Sequence, residues 1–262
     1  MPSIYKLFCV SFALFAIALG GLACGDSKEE TPSVVFPEFG AGGVYVALGD
    51  SIAAGTGASD AEATNYVSLV AEALRAQLGV DLELINLAEG GASTETLIEQ
   101  QLPAALERLA QGDVLLVTIT ISGIDLNQLA ETPVCVQDPA DINCPLDDLL
   151  LGVEERLNQI IRDLQEAGPD TLIAIQLYPN LFSGSGHELE RSADIAFELL
   201  NGAIIGVADR NDVILADPRH SFEGASGKLT HLLDPTPDAH PSDAGYRVIA
   251  DAFLEALGLA EE

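Results

Sequence analysis

From residue 44 onward, short apolar runs alternate with longer amphipathic stretches. VYVAL (44–48), LELIN (82–86), DVLLVTITI (113–121), TLIAIQLY (171–178) and VILAD (213–217) are short and bounded by turn residues, and several are rich in β-branched side chains. Runs of that kind predict strands buried in a sheet. Between and after them, NYVSLVAEALRAQL (65–78), TETLIEQQLPAALERLA (94–110), LDDLLLGVEERLNQIIRDLQEAG (146–168), ELERSADIAFELLNGAIIGVADR (188–210) and SDAGYRVIADAFLEAL (242–257) place apolar residues at helical spacing. Pro103 predicts a kink or break in the second of these helices. Gly168 and Pro169 close the third, and Ser242 stands where the last needs an N-cap. About five strands with crossover helices predict an α/β fold with a parallel sheet covered on both faces. In open sheets of this class the loops beyond the C-terminal ends of the strands hold the ligand.

The first 43 residues break this pattern. MPSIYK carries one cation, Lys6, and LFCVSFALFAIAL (7–19) is an apolar run of signal-peptide length, short for a membrane span. Small residues at Gly21 and Ala23 suit cleavage after Ala23, so residues 1–23 are expected to be a signal peptide. The sequence up to Cys24 also resembles a bacterial lipobox, in which the cysteine is lipidated. Gly21 stands where that motif usually has Leu, with Leu22 one place nearer. Two destinations follow: an extracytoplasmic protein lipid-anchored at Cys24 to a bacterial membrane, or one freely secreted. Residues 24–43, a mixture of charge, Pro and Gly, read as a tether, and 44–262 as the folded domain.

The cysteines agree with export. Cys9 leaves with the leader and Cys24 is the candidate lipid site, which leaves Cys135 and Cys144 in CVQDPADINC. In an oxidising compartment they are expected to form a disulfide across a short loop, the alternative being two free thiols. Two thiols without nearby His are too few for a metal site, and no metal is expected.

Charge narrows the partners. The chain has 41 Asp and Glu against 11 Lys and Arg, a formal net charge of −30. Such a surface repels phosphate backbones, which excludes nucleic acid, and it disfavours anionic substrates at long range. With 48% hydrophobic and 20% charged residues the composition is globular, and the length suits one large domain, expected to be a monomer.

Candidate chemistry begins at VALGDSIAAGTG (46–57). The tripeptide Gly-Asp-Ser occurs twice, ending at Ser27 and at Ser51. Ser27 lies in the tether and reads as a linker serine. Ser51 stands where the first strand ends. A nucleophilic serine needs a base and N–H groups for the developing oxyanion. There are four histidines. His187 reads as a surface-loop residue, and His220 and His231 lie in the irregular segment 218–241. His240 directly precedes the last helix, with Asp238 near enough to orient its ring. GASGKLT (224–230) echoes a phosphate-binding loop but has Phe222 in place of the first Gly and Leu229 in place of Ser or Thr. GTG (55–57) lacks the rest of a dinucleotide fingerprint.

Four stretches in order resemble the blocks of the GDSL/SGNH hydrolase family: ALGDSIAAG with Ser51, NLAEGGAST with Gly91, TITISGIDL, and DAHPSDAGYRVIADAF with His240. The resemblance covers roughly 44–257. It implies a flavodoxin-like three-layer α/β/α domain, no cofactor, and hydrolysis of small-molecule, lipid or acylated-glycan esters. It makes Ser51 the nucleophile, His240 the base, and Ser51 and Gly91 the backbone donors of the oxyanion hole. Two places depart from the family. In the third block, usually G-x-N-D, Ser122 holds the place of the Gly and Ile124 that of the Asn, so the side-chain donor is missing. Asn127 is the nearest amide that could replace it. The acid three residues before the histidine is replaced by Pro237, leaving Asp238, or Asp234 in reserve. A weakly active or inactive binding protein on the same fold is the alternative function.

Overall fold

The computed structural model describes residues 34, 36, 42–127, 129 and 132–260. The leader, Cys24 and Ser27 lie outside the described residues. Strand β1 (Gly42–Gly49) starts two residues before the predicted run, and Phe36 packs half-buried against the core. It is followed by α1 (Tyr66–Leu78), β2 (Asp81–Asn86), α2 (Thr94–Thr96), a π-helical turn (Leu97–Gln101), α3 (Leu102–Leu109) and β3 (Val114–Thr120). Then come α4 (Gly123–Asn127), α5 (Pro133–Gln137), α6 (Leu146–Ala167), β4 (Leu172–Gln176), α7 (Glu190–Asn211) and β5 (Ile214–Ala216). The chain ends with α8 (Arg219–Phe222), α9 (Ser226–Leu229), the short strands β6 (Thr230–His231) and β7 (Asp238–Pro241), and α10 (Asp243–Ala256).

Strands β1 to β5 form one parallel sheet in the order β2-β1-β3-β4-β5. This is the flavodoxin-like arrangement that the family resemblance implies. Every residue of β3 is buried, as are all of β1 but its first. That burial explains why their sequences are continuously apolar rather than alternating. Helix α1 packs on α10, and α6 packs on α3 and α7, which supplies the two outer layers. Tyr66 of α1 stacks on Phe253 of α10 with ring centroids 5.0 Å apart. The strand order reverses between β1 and β3, and such a switch point opens a crevice at the strands' C-terminal ends. Ser51 follows directly from β1 into that crevice.

Three regions differ in detail from the sequence pattern. The second helix is irregular one turn before Pro103, which sits at the start of α3, where its missing N–H costs nothing. The segment 218–241 is largely ordered into α8, α9 and the antiparallel β6–β7 ribbon, in which His231 pairs with Asp238. Between β3 and α6, Cys135 and Cys144 form the expected disulfide over a small apolar cluster with Leu129 and Leu146.

Candidate active site

The turn that carries Ser51 is set by backbone chemistry. Gly49 has φ +152°, and a Cβ there would lie 2.1 Å from the Thr120 carbonyl oxygen. Only glycine allows this approach, which lets the Asp50 N–H donate to Thr120 O at 2.9 Å. The Gln101 side chain then pairs with Gly49 on both sides: Gly49 N donates to Oε1, and Nε2 donates to Gly49 O, each at 2.8 Å. Beyond Asp50 the chain curls, with Ala54 N bonded to Asp50 O and Thr56 N to Ser51 O.

Strand β7 brings His240 to Ser51. His240 Nε2 lies 2.8 Å from Ser51 Oγ, and His240 Nδ1 lies 2.6 Å from Asp238 Oδ1. The same carboxylate oxygen accepts the His240 backbone N–H at 3.0 Å. Burial pushes the Asp238 carboxyl up, but the hydrogen bonds from the backbone and ring of His240 outweigh it and hold the group below its ordinary value. An ionised acceptor at Nδ1 fixes the ring proton there and leaves Nε2 free to accept from Ser51. Asp234 is engaged elsewhere: its Oδ2 lies 2.8 Å from His231 Nδ1. Of the two candidate acids, Asp238 is therefore the one joined to His240.

Gly91 lies in the loop after β2, at φ +85°, a conformation that glycine adopts without strain. That loop is pinned to β1 by Leu87 N bonding to Ala47 O and Glu89 N bonding to Gly49 O. Among the described residues, neither the Ser51 N–H nor the Gly91 N–H has a hydrogen-bond acceptor. Both are available to a ligand.

The third block is assembled around its acid. Asp125 is buried, and it accepts from Thr94 N at 3.0 Å, Thr94 Oγ1 at 2.7 Å and Arg156 Nη2 at 3.2 Å. The Arg156 Nε also donates to Thr94 Oγ1. This network ties the loop after β3 to the start of α2, three residues past Gly91. Ser122 keeps φ +102°, so the backbone there retains a conformation suited to the family's glycine. Ile124 is half-buried and offers no donor, while Asn127 is exposed and lines a groove along α4. That groove, about 360 Å³, starts at Gly123 and runs between Leu126, Val136 of the disulfide loop, Phe182 and Ala193 of α7.

Asp50 is buried beside Ser51. Its Oδ1 accepts from Ile52 N at 2.9 Å and its Oδ2 from the Tyr178 hydroxyl at 2.5 Å. Burial raises its carboxyl to about 6, against the opposing pull of the Tyr178 hydrogen bond. Tyr178 and Gln101 were not singled out by the sequence, because both reach the site across long stretches of chain. The polar residue at a helical position facing the core was the one available signal for Gln101. Among the described residues, no three His, Cys, Asp or Glu side chains are grouped to hold a metal ion.

Residues 47–248 match the model of the GDSL-like lipase/acylhydrolase family. The chain belongs to that family. Its chemistry is that of an ester hydrolase. No curated protein sequence matches the chain. Among solved structures, a lipase from a goat rumen metagenome superposes with a TM-score of 0.66 at 20% identity, covering 84% of this chain and 99% of that one. An extracellular lipase from Streptomyces rimosus gives 0.62 at 21% identity, covering 84% and 100%. Phospholipase A1 from Streptomyces albidoflavus gives 0.63 at 22%, covering 84% and 99%. An acetylxylan esterase from Geobacillus stearothermophilus gives 0.62 at 18%, covering 86% and 99%. At these identities the GDSL-like domain shares their fold.

Proposed function

We propose that this GDSL-family protein is a serine ester hydrolase working through an acyl-enzyme on Ser51. The observation that carries the reading is the continuous hydrogen-bonded chain Ser51 Oγ–His240 Nε2–His240 Nδ1–Asp238, with links of 2.8 and 2.6 Å. As Ser51 Oγ attacks the ester carbonyl carbon, His240 Nε2 takes its proton. Asp238 holds the ring in position and stabilises the imidazolium. The carbonyl oxygen, now an oxyanion, is held by the free N–H groups of Ser51 and Gly91. Collapse breaks the C–O bond, and the departing alkoxide takes the proton from His240. Water then attacks the acyl-enzyme with His240 again as base, releasing the acid and regenerating Ser51.

The net charge of −30 favours uncharged esters over anionic ones. The apolar groove beside Gly123 offers room for an acyl chain, and substrates from acetylated carbohydrate to lipid esters fit the kinds of enzyme that share the fold. Turnover of p-nitrophenyl acetate and butyrate by the wild type, lost in Ser51→Ala, is the expected result. Equal rates in the two proteins would sink the serine mechanism.

One observation favours a second reading, a binding protein on the same fold: Ile124 puts an alkyl group where the family has an amide donor. The test is Ile124→Asn. In a working enzyme it accelerates an existing reaction; in a binding protein it creates one.

The reading extends to location. The protein is placed outside the cytoplasm, anchored through lipidated Cys24, with the Cys135–Cys144 disulfide as support, since such bonds persist in oxidising compartments. Palmitate labelling that disappears in Cys24→Ala is the expected outcome. An unlabelled wild type leaves the freely secreted form.

A further inference from the structure

The β6–β7 ribbon carries two histidines, and the reaction above uses only His240. The ring of His231 is nonetheless held at both nitrogens. Nδ1 lies 2.8 Å from Asp234 Oδ2, and Nε2 lies 2.8 Å from the Gly57 carbonyl oxygen. A carbonyl oxygen cannot donate, and neither can an ionised carboxylate. A neutral imidazole has one N–H and satisfies one of these partners; an imidazolium satisfies both. His240 is arranged differently, with an acceptor at Nδ1 and the Ser51 hydroxyl, which can donate, at Nε2. Of the two rings, only that of His231 has at both nitrogens partners that cannot donate.

The atom that His231 grips belongs to the nucleophile's own turn. Gly57 follows Ser51 by six residues and sits at φ +90°. A Cβ on it would lie 2.8 Å from Pro241 O and 3.0 Å from the Cβ of His240. The turn therefore lies directly against the base. Two other ties fasten it to the C-terminal part of the chain. The Tyr246 hydroxyl donates to Thr56 O at 2.6 Å, and Ser59 N donates to Asp243 at 2.8 Å. The His231 bond is the one made from the strand paired with β7, and His231 is the register partner of Asp238.

We propose that His231 is a positioning residue: clamped as an imidazolium between Asp234 and the Gly57 carbonyl, it fixes the Ser51 turn against the His240 strand. This rests on the Ser51 mechanism proposed above. The charged groups around the ring favour its cationic form. Asp234 faces it from the loop after β6, Asp238 from β7 and Asp243 from the start of α10, while the nucleophile turn contributes only backbone. The Asp234 hydrogen bond, and then that to Gly57, raises the His231 ring above its ordinary value despite partial burial. A raised histidine holds its contribution at low pH and loses it as pH rises through the folded value. Once the proton leaves, Asp234 or Gly57 O faces a lone pair and the clamp opens. Attack by Ser51 then requires His240 unprotonated and His231 protonated, and His231 produces the alkaline limb of the activity profile.

The test is the rate at which a fluorophosphonate probe modifies Ser51, followed from acid to alkaline pH in the wild type, His231→Gln and Asp234→Asn. Glutamine keeps a donor for Gly57 but has no titrating proton. His231→Gln is expected to react roughly tenfold more slowly near neutral pH, the effect of a modest misplacement, and to lack the alkaline limb. Asp234→Asn should move that limb to lower pH. A His231→Gln protein with the wild-type rate and the wild-type alkaline limb overturns the proposal. Ring NMR titration of the folded wild type gives a second reading that needs no activity. His231 should titrate above the ordinary histidine value, move down in Asp234→Asn, and shift the Thr56–Ala58 amide signals as it titrates. An unshifted His231 overturns the clamp. A protein inert to the probe at every pH counts against the Ser51 mechanism, and the NMR result then decides the clamp by itself.

Discussion

At the scale of single residues, Asp50 and Ile124 are the two positions whose substitution says most about the site. Asp50 is a buried carboxyl raised to about 6, chiefly by burial. Its folded value lies above its unfolded one, so the native state binds the proton more tightly. Its contribution to stability is present below about pH 4 and lost as the pH rises to about 6. Asp50→Asn keeps an oxygen for Ile52 N and removes the titration. Its stability curve is expected to be flatter than that of the wild type across this window, as measured by urea unfolding at each pH. Matching slopes would contradict the assignment. Ile124→Asn restores the family's side-chain amide next to the proposed oxyanion hole. One such donor is worth about 10²–10³ in kcat, and recovering even part of that should raise kcat at least about tenfold. An unchanged rate would mean that the amide fails to reach the oxyanion.

The candidate catalytic residues were legible in the sequence to the extent that their partners lie close along the chain. His240 and Asp238 are two residues apart, and a strand end followed by a small-residue turn marked Ser51. The choice between Asp238 and Asp234 needed coordinates, because the prolines between them leave the loop's path undetermined. Tyr178 and Gln101 were not legible. Their bonds to Asp50 and Gly49 span 128 and 52 residues, and no local pattern encodes such meetings.

At the scale of elements, the most consequential detail is the π-helical turn before Pro103. The wider turn directs Gln101 inward, where its amide caps the end of β1 one residue before Asp50. Hydrophobic periodicity predicts one helix with a break at the proline and does not place the wider turn, a rare single-turn feature. Gln101→Ala leaves the N–H of buried Gly49 without a partner and its C=O with the Glu89 N–H alone. It is expected to destabilise the fold by about 1–3 kcal/mol and to lower kcat. Denaturant unfolding and ester turnover check the two parts, and a stability loss well below 1 kcal/mol would contradict the role given to this amide. The β6–β7 ribbon is not legible in the sequence, because two- and four-residue strands among prolines lack a readable period.

At the scale of the whole molecule, the fold was legible because β1 and β3 are buried on both faces and so spell continuous apolar runs. The order of the strands was not in those runs; it came with the family resemblance. Net charge acts at this scale as well. With −30 on one chain, self-repulsion opposes compaction and salt screens it. Raising sodium chloride from low to near-molar concentration should raise Tm by about 3–6 °C, the equivalent of 1–2 kcal/mol. A salt-independent Tm would mean that the acidic surface is already neutralised by its own arrangement.

The proposed reaction turns on Ser51, activated by His240, attacking the ester. Peptide mapping of the protein after reaction with a fluorophosphonate probe tests it most directly. A single adduct is expected on the peptide bearing Ser51, absent in Ser51→Ala and strongly slowed in His240→Ala. An unmodified wild type, or an adduct on a different serine, would contradict it.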